Sequence, residues 1–221
     1  MPILYRPFDV RYTYYTGTAN GFHERPRPEV MRHMLAGDNL ALITRRQMLP
    51  GRPCNYVFVA DKVVSDGAIR SDNKGGESVF PLYIYPQRDL FDAQGLGERQ
   101  PNLNYKLVQQ LGEAFGEEPS PTEVFYYVYA VLYAPSYREK YAEFLRIDFP
   151  RIPFTSDYEL FKRMAELGRR LVDLHLLRSP ELDPPIARFQ GEGDGKVQTG
   201  KKGLRYDPES ARVYINETQY F

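Results

Sequence analysis

One cysteine, Cys54, stands in a chain of 221 residues. It excludes an internal disulfide and fits a reducing, cytoplasmic setting. The three histidines, His23, His33 and His175, are widely spread and tryptophan is absent. One Cys with scattered His gives no ligand spacing for a structural zinc ion, so no metal is expected. No stretch approaches the roughly 18 apolar residues of a membrane span, and no membrane contact is expected. The opening MPILYRPFDVRYTYY has no basic segment ahead of an apolar core, so it does not read as a signal peptide.

Charge of either sign is also not in excess: 29 basic side chains balance 29 acidic ones. Phosphate neutralisation supplies most non-specific affinity for nucleic acid, and a free-standing binder normally carries a basic surplus. Balance weighs against strong autonomous binding of DNA. It leaves room for a module that reads base edges while other domains grip the backbone.

The motifs of catalysis are missing as well. There is no phosphate loop, because Gly200-Lys201-Lys202-Gly203 lacks both the spacing and the hydroxyl that Mg²⁺ needs. No glycine-rich strand–turn–helix suits a dinucleotide or a methyl donor, and no G-x-S-x-G elbow occurs. Nor is there an Asn-Pro-Pro-Tyr type tetrapeptide to hold an extruded adenine. Asp61, Asp66 and Asp72 could bind metal or act as acid and base, but they sit among turn formers and read as solvated turn residues. His175 reads as a packed histidine on a helix.

What is abundant is aromatic: 18 Tyr and 13 Phe, with 42% hydrophobic residues overall, enough for a sizeable core. Residues 10–15 (VRYTYY), 39–44 (NLALIT), 55–60 (NYVFVA) and 78–86 (SVFPLYIYP) carry the β-branched and aromatic runs of strands. Pro81 in the last run requires an edge, a bulge or a strand start. Pro28 at a first helical position, VMRHML after it and Gly37 as the C-terminal cap predict one short helix between the first two strands. Residues 87–100 read as a polar connector.

From Pro101 the period becomes helical. Leu103, Leu107, Leu111 and Phe115 recur every fourth residue. Ser120, Pro121 and Glu123 form a capping box that opens TEVFYYVYAVLYA, a helix apolar nearly all round and therefore central. A short helix is expected over 137–145. A second capping box, Ser156 with Glu159, is expected to start a long helix to about Leu177, striped by Phe161, Met164, Leu171, Val172 and His175. Beyond SPELDPP the β signals return, with Asp207-Pro208-Glu209-Ser210 as a hairpin turn. The fold class is α+β: a β-rich part over 1–100, a helical subdomain over 101–180 and a C-terminal β segment over 181–221. One arrangement joins the two β parts in a single sheet beside the helical subdomain, and the pairing is not readable from sequence.

Three polar segments suit nucleic acid. Arg45, Arg46 and Gln47 follow a strand; Arg takes guanine O6 and N7 together, and Gln pairs with adenine N6 and N7. Residues 65–78 (SDGAIRSDNKGGES) hold Arg70, Ser71, Asn73 and Lys74, with Gly75-Gly76 allowing close backbone approach to phosphate. Residues 196–205 carry Lys196, Lys201, Lys202 and Arg205 without an acid, a pattern suited to phosphate. Each also reads as an ordinary solvated loop.

The segments YRPFDVRYTYYTG, RPRPEVMRHML, NLALITRRQ, NYVFVADKVVSD, GGESVFPLYIYP and PTEVFYYVYAVLYAPSYREKYAEFLRIDFPRIPF, then DYELFKRMAELGRRLVDLHLL, run through nearly the whole chain. In that order they resemble the C-terminal specificity region of Type ISP single-chain restriction–modification enzymes. The resemblance implies a parent with nuclease, helicase-type ATPase and N6-adenine methyltransferase domains, in which this region reads an asymmetric site on double-stranded DNA. It implies no catalytic residue and no cofactor here; S-adenosylmethionine, ATP and Mg would serve the other domains. The methyltransferase portion of the same polypeptide is the implied partner. The family pattern continues past YDPESARVYINETQYF, so the last segment is expected to be truncated. The rival is a module that docks on the methyltransferase without reading bases; a small hydrolase using the turn aspartates is a distant third.

Overall fold

The computed structural model describes residues 1–19, 23, 25–47, 56–69, 76–86, 98–200 and 203–221. They form an α+β fold in two compact units, Met1–Ser179 and Pro180–Phe221.

The first unit is organised by a three-stranded antiparallel sheet. Its central strand β3 (Ala41–Thr44) lies between β4 (Val57–Ala60) and β6 (Ser78–Pro81). Successive side chains of a strand point to opposite faces, and this sheet is covered on both. Val57 and Val59 enter one core, while Phe58 and Ala60 enter the other. That double burial is why residues 57–60 are apolar without alternation. Pro81 is the last residue of an edge strand, and the 78–86 run breaks there into β6 and β7 (Tyr83–Ile84). β7 pairs with β8 (Gln100–Pro101), at the end of the segment read as connector; residues 87–97 lie outside the described residues.

One core is closed by a second small sheet and a helix. β1 (Pro2–Arg6) and β2 (Asp9–Tyr12) form a hairpin, and β5 (Val63–Val64) runs parallel beside β1. The expected strand over 10–15 therefore ends at Tyr12, and the ladder begins earlier, at Pro2. Helix α1 (Pro28–Leu35) starts on Pro28, but its C-cap is Ala36 in a right-handed conformation, so Gly37 is not the left-handed cap. Met31 and Met34 meet Ile3, Leu4, Ile43 and Val63 in this core.

The other core is helical. It packs α2 (Tyr105–Phe115), α3 (Pro121–Tyr133), α4 (Pro135–Lys140), α5 (Ala142–Leu145) and α6 (Tyr158–His175) against the sheet. The Ser120–Glu123 capping box is formed in both directions. Seven residues of α3 are buried, as its all-round apolarity requires. Tyr127 stacks on Phe161 of α6 at 4.9 Å between ring centres. The single helix expected over 137–145 is two, broken at Tyr141. At α6 the cap is Asp157 rather than Ser156: its carboxylate takes the Leu160 N–H at 3.0 Å. A charged acceptor at this end also meets the positive pole of the helix.

The second unit contains β9 (Arg205–Asp207) and β10 (Arg212–Tyr214), which pair with each other. Among the described residues β9 and β10 make a two-stranded sheet. The Asp207 turn is formed, its carboxylate accepting from Glu209 N–H at 3.1 Å and Ser210 Oγ–H at 2.6 Å. Polar groups organise the rest of this unit. Buried Gln219 accepts from Gly195 N–H at 2.8 Å and from Asn216 Nδ2 at 2.9 Å. Gly191, at φ 89°, passes so near Thr218 O that a Cβ would stand 2.1 Å from it.

Candidate nucleic-acid interface

Strand β3 delivers Arg45, Arg46 and Gln47 in sequence, yet the fold treats them differently. Arg45 is 8% exposed, with its guanidinium 5.6 Å from the centre of the Tyr56 ring. Arg46 and Gln47 face solvent. Arg46 Nε donates to Asp148 Oδ1 at 2.9 Å, and Gln47 Nε2 donates to the Ile147 carbonyl at 3.2 Å. Asp148 Oδ1 also accepts the Phe149 N–H at 2.9 Å. That backbone bond, with Arg46 beside it, holds the carboxyl below the usual carboxylate range. Phe149 in turn sets its edge against Phe80 of β6, 5.7 Å between centres. The exposed pair is thus fixed to a hook after α5, which sequence reasoning missed.

Beside this hook an open groove of about 500 Å³ runs between the helices and residues 147–153. Tyr137, Tyr141, Phe144, Ile147 and Pro153 line it, with Phe144 and Ile147 largely exposed.

Of the second segment, Arg70, Ser71, Asn73 and Lys74 lie outside the described residues. Asp66 and Glu77, on either side of them, are joined by Arg27. Its Nη1 donates to the Glu77 carbonyl at 2.9 Å and its Nη2 to Asp66 Oδ1 at 3.0 Å. Arg27 does this from a left-handed backbone, φ 47° and ψ 57°, uncommon for a residue with a side chain. A Cβ on Gly76 would come within 2.8 Å of Arg27 Nη2, so glycine leaves room for the bridge.

Of the third segment, Lys201 and Lys202 lie outside the described residues. Arg205 packs over Tyr214 at 4.0 Å, and Arg212 over Tyr220 at 4.3 Å. Tyr214 and Tyr220 are 5.3 Å apart. Arg212, also missed, follows once the hairpin register is known, because Arg205 opposes Tyr214 and Arg212 lies two residues back on the same face. Lys196 pairs with Asp194 at 3.2 Å.

Two of the aspartates considered for chemistry are engaged in ion pairs. Asp61 meets Lys62 and Arg178, and Asp66 meets Arg25 and Arg27; Asp72 lies outside the described residues. His175 shares a 2.6 Å hydrogen bond with the Tyr129 hydroxyl. Burial, with Arg138 as the lesser cause, lowers its pKa. Among the described residues no group of three or more His, Cys, Asp or Glu could hold a metal ion. No helix among them is long and apolar enough to cross a membrane.

Comparison with curated proteins gives no match. Three solved structures are similar over nearly the whole chain. The cryoEM structure of the DrdV–DNA complex is 26% identical with a TM-score of 0.66, covering 99% of this chain and 21% of that one. The ATP-dependent Type ISP restriction–modification enzyme LlaBIII bound to DNA is 20% identical, TM-score 0.65, covering 99% and 13%. A nuclease-deletion mutant of the Type ISP enzyme LlaGI in complex with a DNA substrate mimic is 20% identical, TM-score 0.55, covering 100% and 18%. The last two carry the fold alone, and the chain spans about a fifth or less of each of the three. The family described as the Type ISP C-terminal specificity domain matches residues 1–221. The YRPFD opening, the FPLYIYP strands and the YAEFLRIDFPRIPF stretch therefore lie in a chain that, from end to end, belongs to the Type ISP C-terminal specificity domain family.

Proposed function

We propose that this chain is a DNA target-recognition module that reads the site at which other domains of a parent enzyme methylate adenine and cleave. It performs no bond-making step of its own. Any S-adenosylmethionine, ATP and Mg would be held by those other domains. The end-to-end family match carries this reading. The geometry supports it through Arg46 and Gln47, two side chains of types suited to base edges, exposed at successive positions after β3. One well-placed bidentate contact contributes about 1–3 kcal/mol of discrimination. Arg205 and Arg212, each lying over a tyrosine ring, suit phosphate or ribose contact from the second unit.

Fluorescence anisotropy of the chain with duplex DNA, at low and at physiological salt, tests this. Binding that weakens steeply as salt rises is expected. Failure to bind at low salt would favour a second reading, a module that docks on the methyltransferase portion without reading bases. The aromatic groove with exposed Phe144 and Ile147 is the observation that favours it.

A further inference from the structure

An arginine discriminates between bases only if the plane of its guanidinium is held; a free one contacts any acceptor, phosphate included. Packing does not hold Arg46, whose side chain is 71% exposed. A carboxylate does. The bond to Asp148 uses Nε, and among the described residues Nη1 and Nη2 make no hydrogen bond. Asp148 is itself held by the N–H of the next residue, at 2.9 Å. The neighbouring Gln47 is tied to Ile147, so two successive residues leaving β3 are fixed to two successive residues after α5.

We propose that Asp148 is a positioning residue that presents the Nη1–Nη2 edge of Arg46 to the O6 and N7 of a guanine in the major groove. This rests on the target-recognition reading above and names a base within it. Two parallel donors with no acceptor match the two adjacent acceptors of guanine. Adenine sets an amino donor beside N7, thymine offers one acceptor beside a methyl group, and cytosine offers a donor. The carboxylate also selects against the other target of arginine. Asp148 offsets part of the charge of the guanidinium, and an approaching phosphate would meet the carboxylate as a like charge. A neutral base edge meets no such repulsion.

The test is selection of duplexes from a random library by the full 221-residue chain, in wild type, Arg46→Ala, Asp148→Ala and Asp148→Asn forms, each with its melting temperature. Wild type is expected to enrich a site containing a guanine whose preference disappears in Arg46→Ala. In Asp148→Ala and Asp148→Asn the preference at that same position falls about tenfold, with other positions retained. Affinity for random duplex holds or rises, because the released guanidinium becomes a better phosphate ligand. A purely structural role would lower melting temperature and all binding together, and that outcome in both Asp148 variants overturns the proposal. So does a guanine preference that survives both variants, or an Arg46-dependent base other than guanine. If wild type enriches no sequence at all, the target-recognition reading itself fails and this inference falls with it.

Discussion

Gly168 of α6 lies against the backbone of Tyr126 in α3 so closely that a Cβ added to it would stand 1.9 Å from the Tyr126 carbonyl oxygen. The obstacle is backbone in the middle of a helix and cannot swing aside. Gly168→Ala would gain about 1 kcal/mol of helix propensity. Parting α3 from α6 costs more, since overpacking a core costs about 1–3 kcal/mol and sometimes exceeds it. A net loss of up to about 2 kcal/mol is expected, read as a lower urea midpoint at unchanged slope. A midpoint equal to or above wild type would show that the helices separate at little cost.

Glu123 joins the same two helices electrostatically. Its Oε2 accepts from Ser120 N–H and Oγ–H, at 2.9 and 2.7 Å, and its Oε1 accepts from Lys162 of α6 at 2.7 Å. Burial pushes its pKa up, but the bonds from Lys162 and Ser120 outweigh that and bring it from 4.5 down to about 2. A depressed folded pKa stabilises the fold above the unfolded value, and that stability is lost as pH falls through the folded one. Stability should therefore decline between about pH 4.5 and 2. Glu123→Gln should flatten this part of the curve; equal slopes in both proteins would remove Glu123 as its source.

His175 and His33 act nearer neutrality. Burial lowers both from the ordinary 6.5, with Arg138 and Arg32 as the respective secondary causes. His33 Nδ1 accepts the Tyr85 N–H at 3.0 Å, a bond that protonation of Nδ1 would break. The unfolded chain takes up these protons near pH 6.5 and the folded chain only below it, so stability is full above that pH and falls beneath it. Urea midpoints at pH 7.5 and 5.5 should differ in that direction, and His175→Gln should narrow the gap. A midpoint no lower at pH 5.5 would contradict the lowered pKa of both rings.

Arg205 and Arg212 offer a test in the second unit. If each neutralises one phosphate, Arg205→Ala and Arg212→Ala should each reduce the slope of log affinity against log salt by about 0.9. Sequence preference should be unaffected, because such contacts position without specifying. Unchanged slopes would place the tyrosine-packed arginines away from the DNA backbone.

What the sequence by itself determined was local. The Ser120–Glu123 capping box, the Asp207 turn, the nearly all-round apolar α3 and the edge position of Pro81 each depend on residues a few places apart, whose chemistry settles the conformation. Even there the register slipped by one at α6, because Ser156 and Asp157 are both competent caps and only the path of the incoming chain chooses between them. The family too was legible, since its motifs run in order along the chain. The tertiary structure decided the rest. Nothing in Arg45-Arg46-Gln47 says which arginine is buried, because that depends on how β3 is covered. The partners Asp148, for Arg46, and Asp66, for Arg27, lie 102 and 39 residues away in sequence. Contacts of that span are created by the packing of separate elements, and no local pattern encodes them.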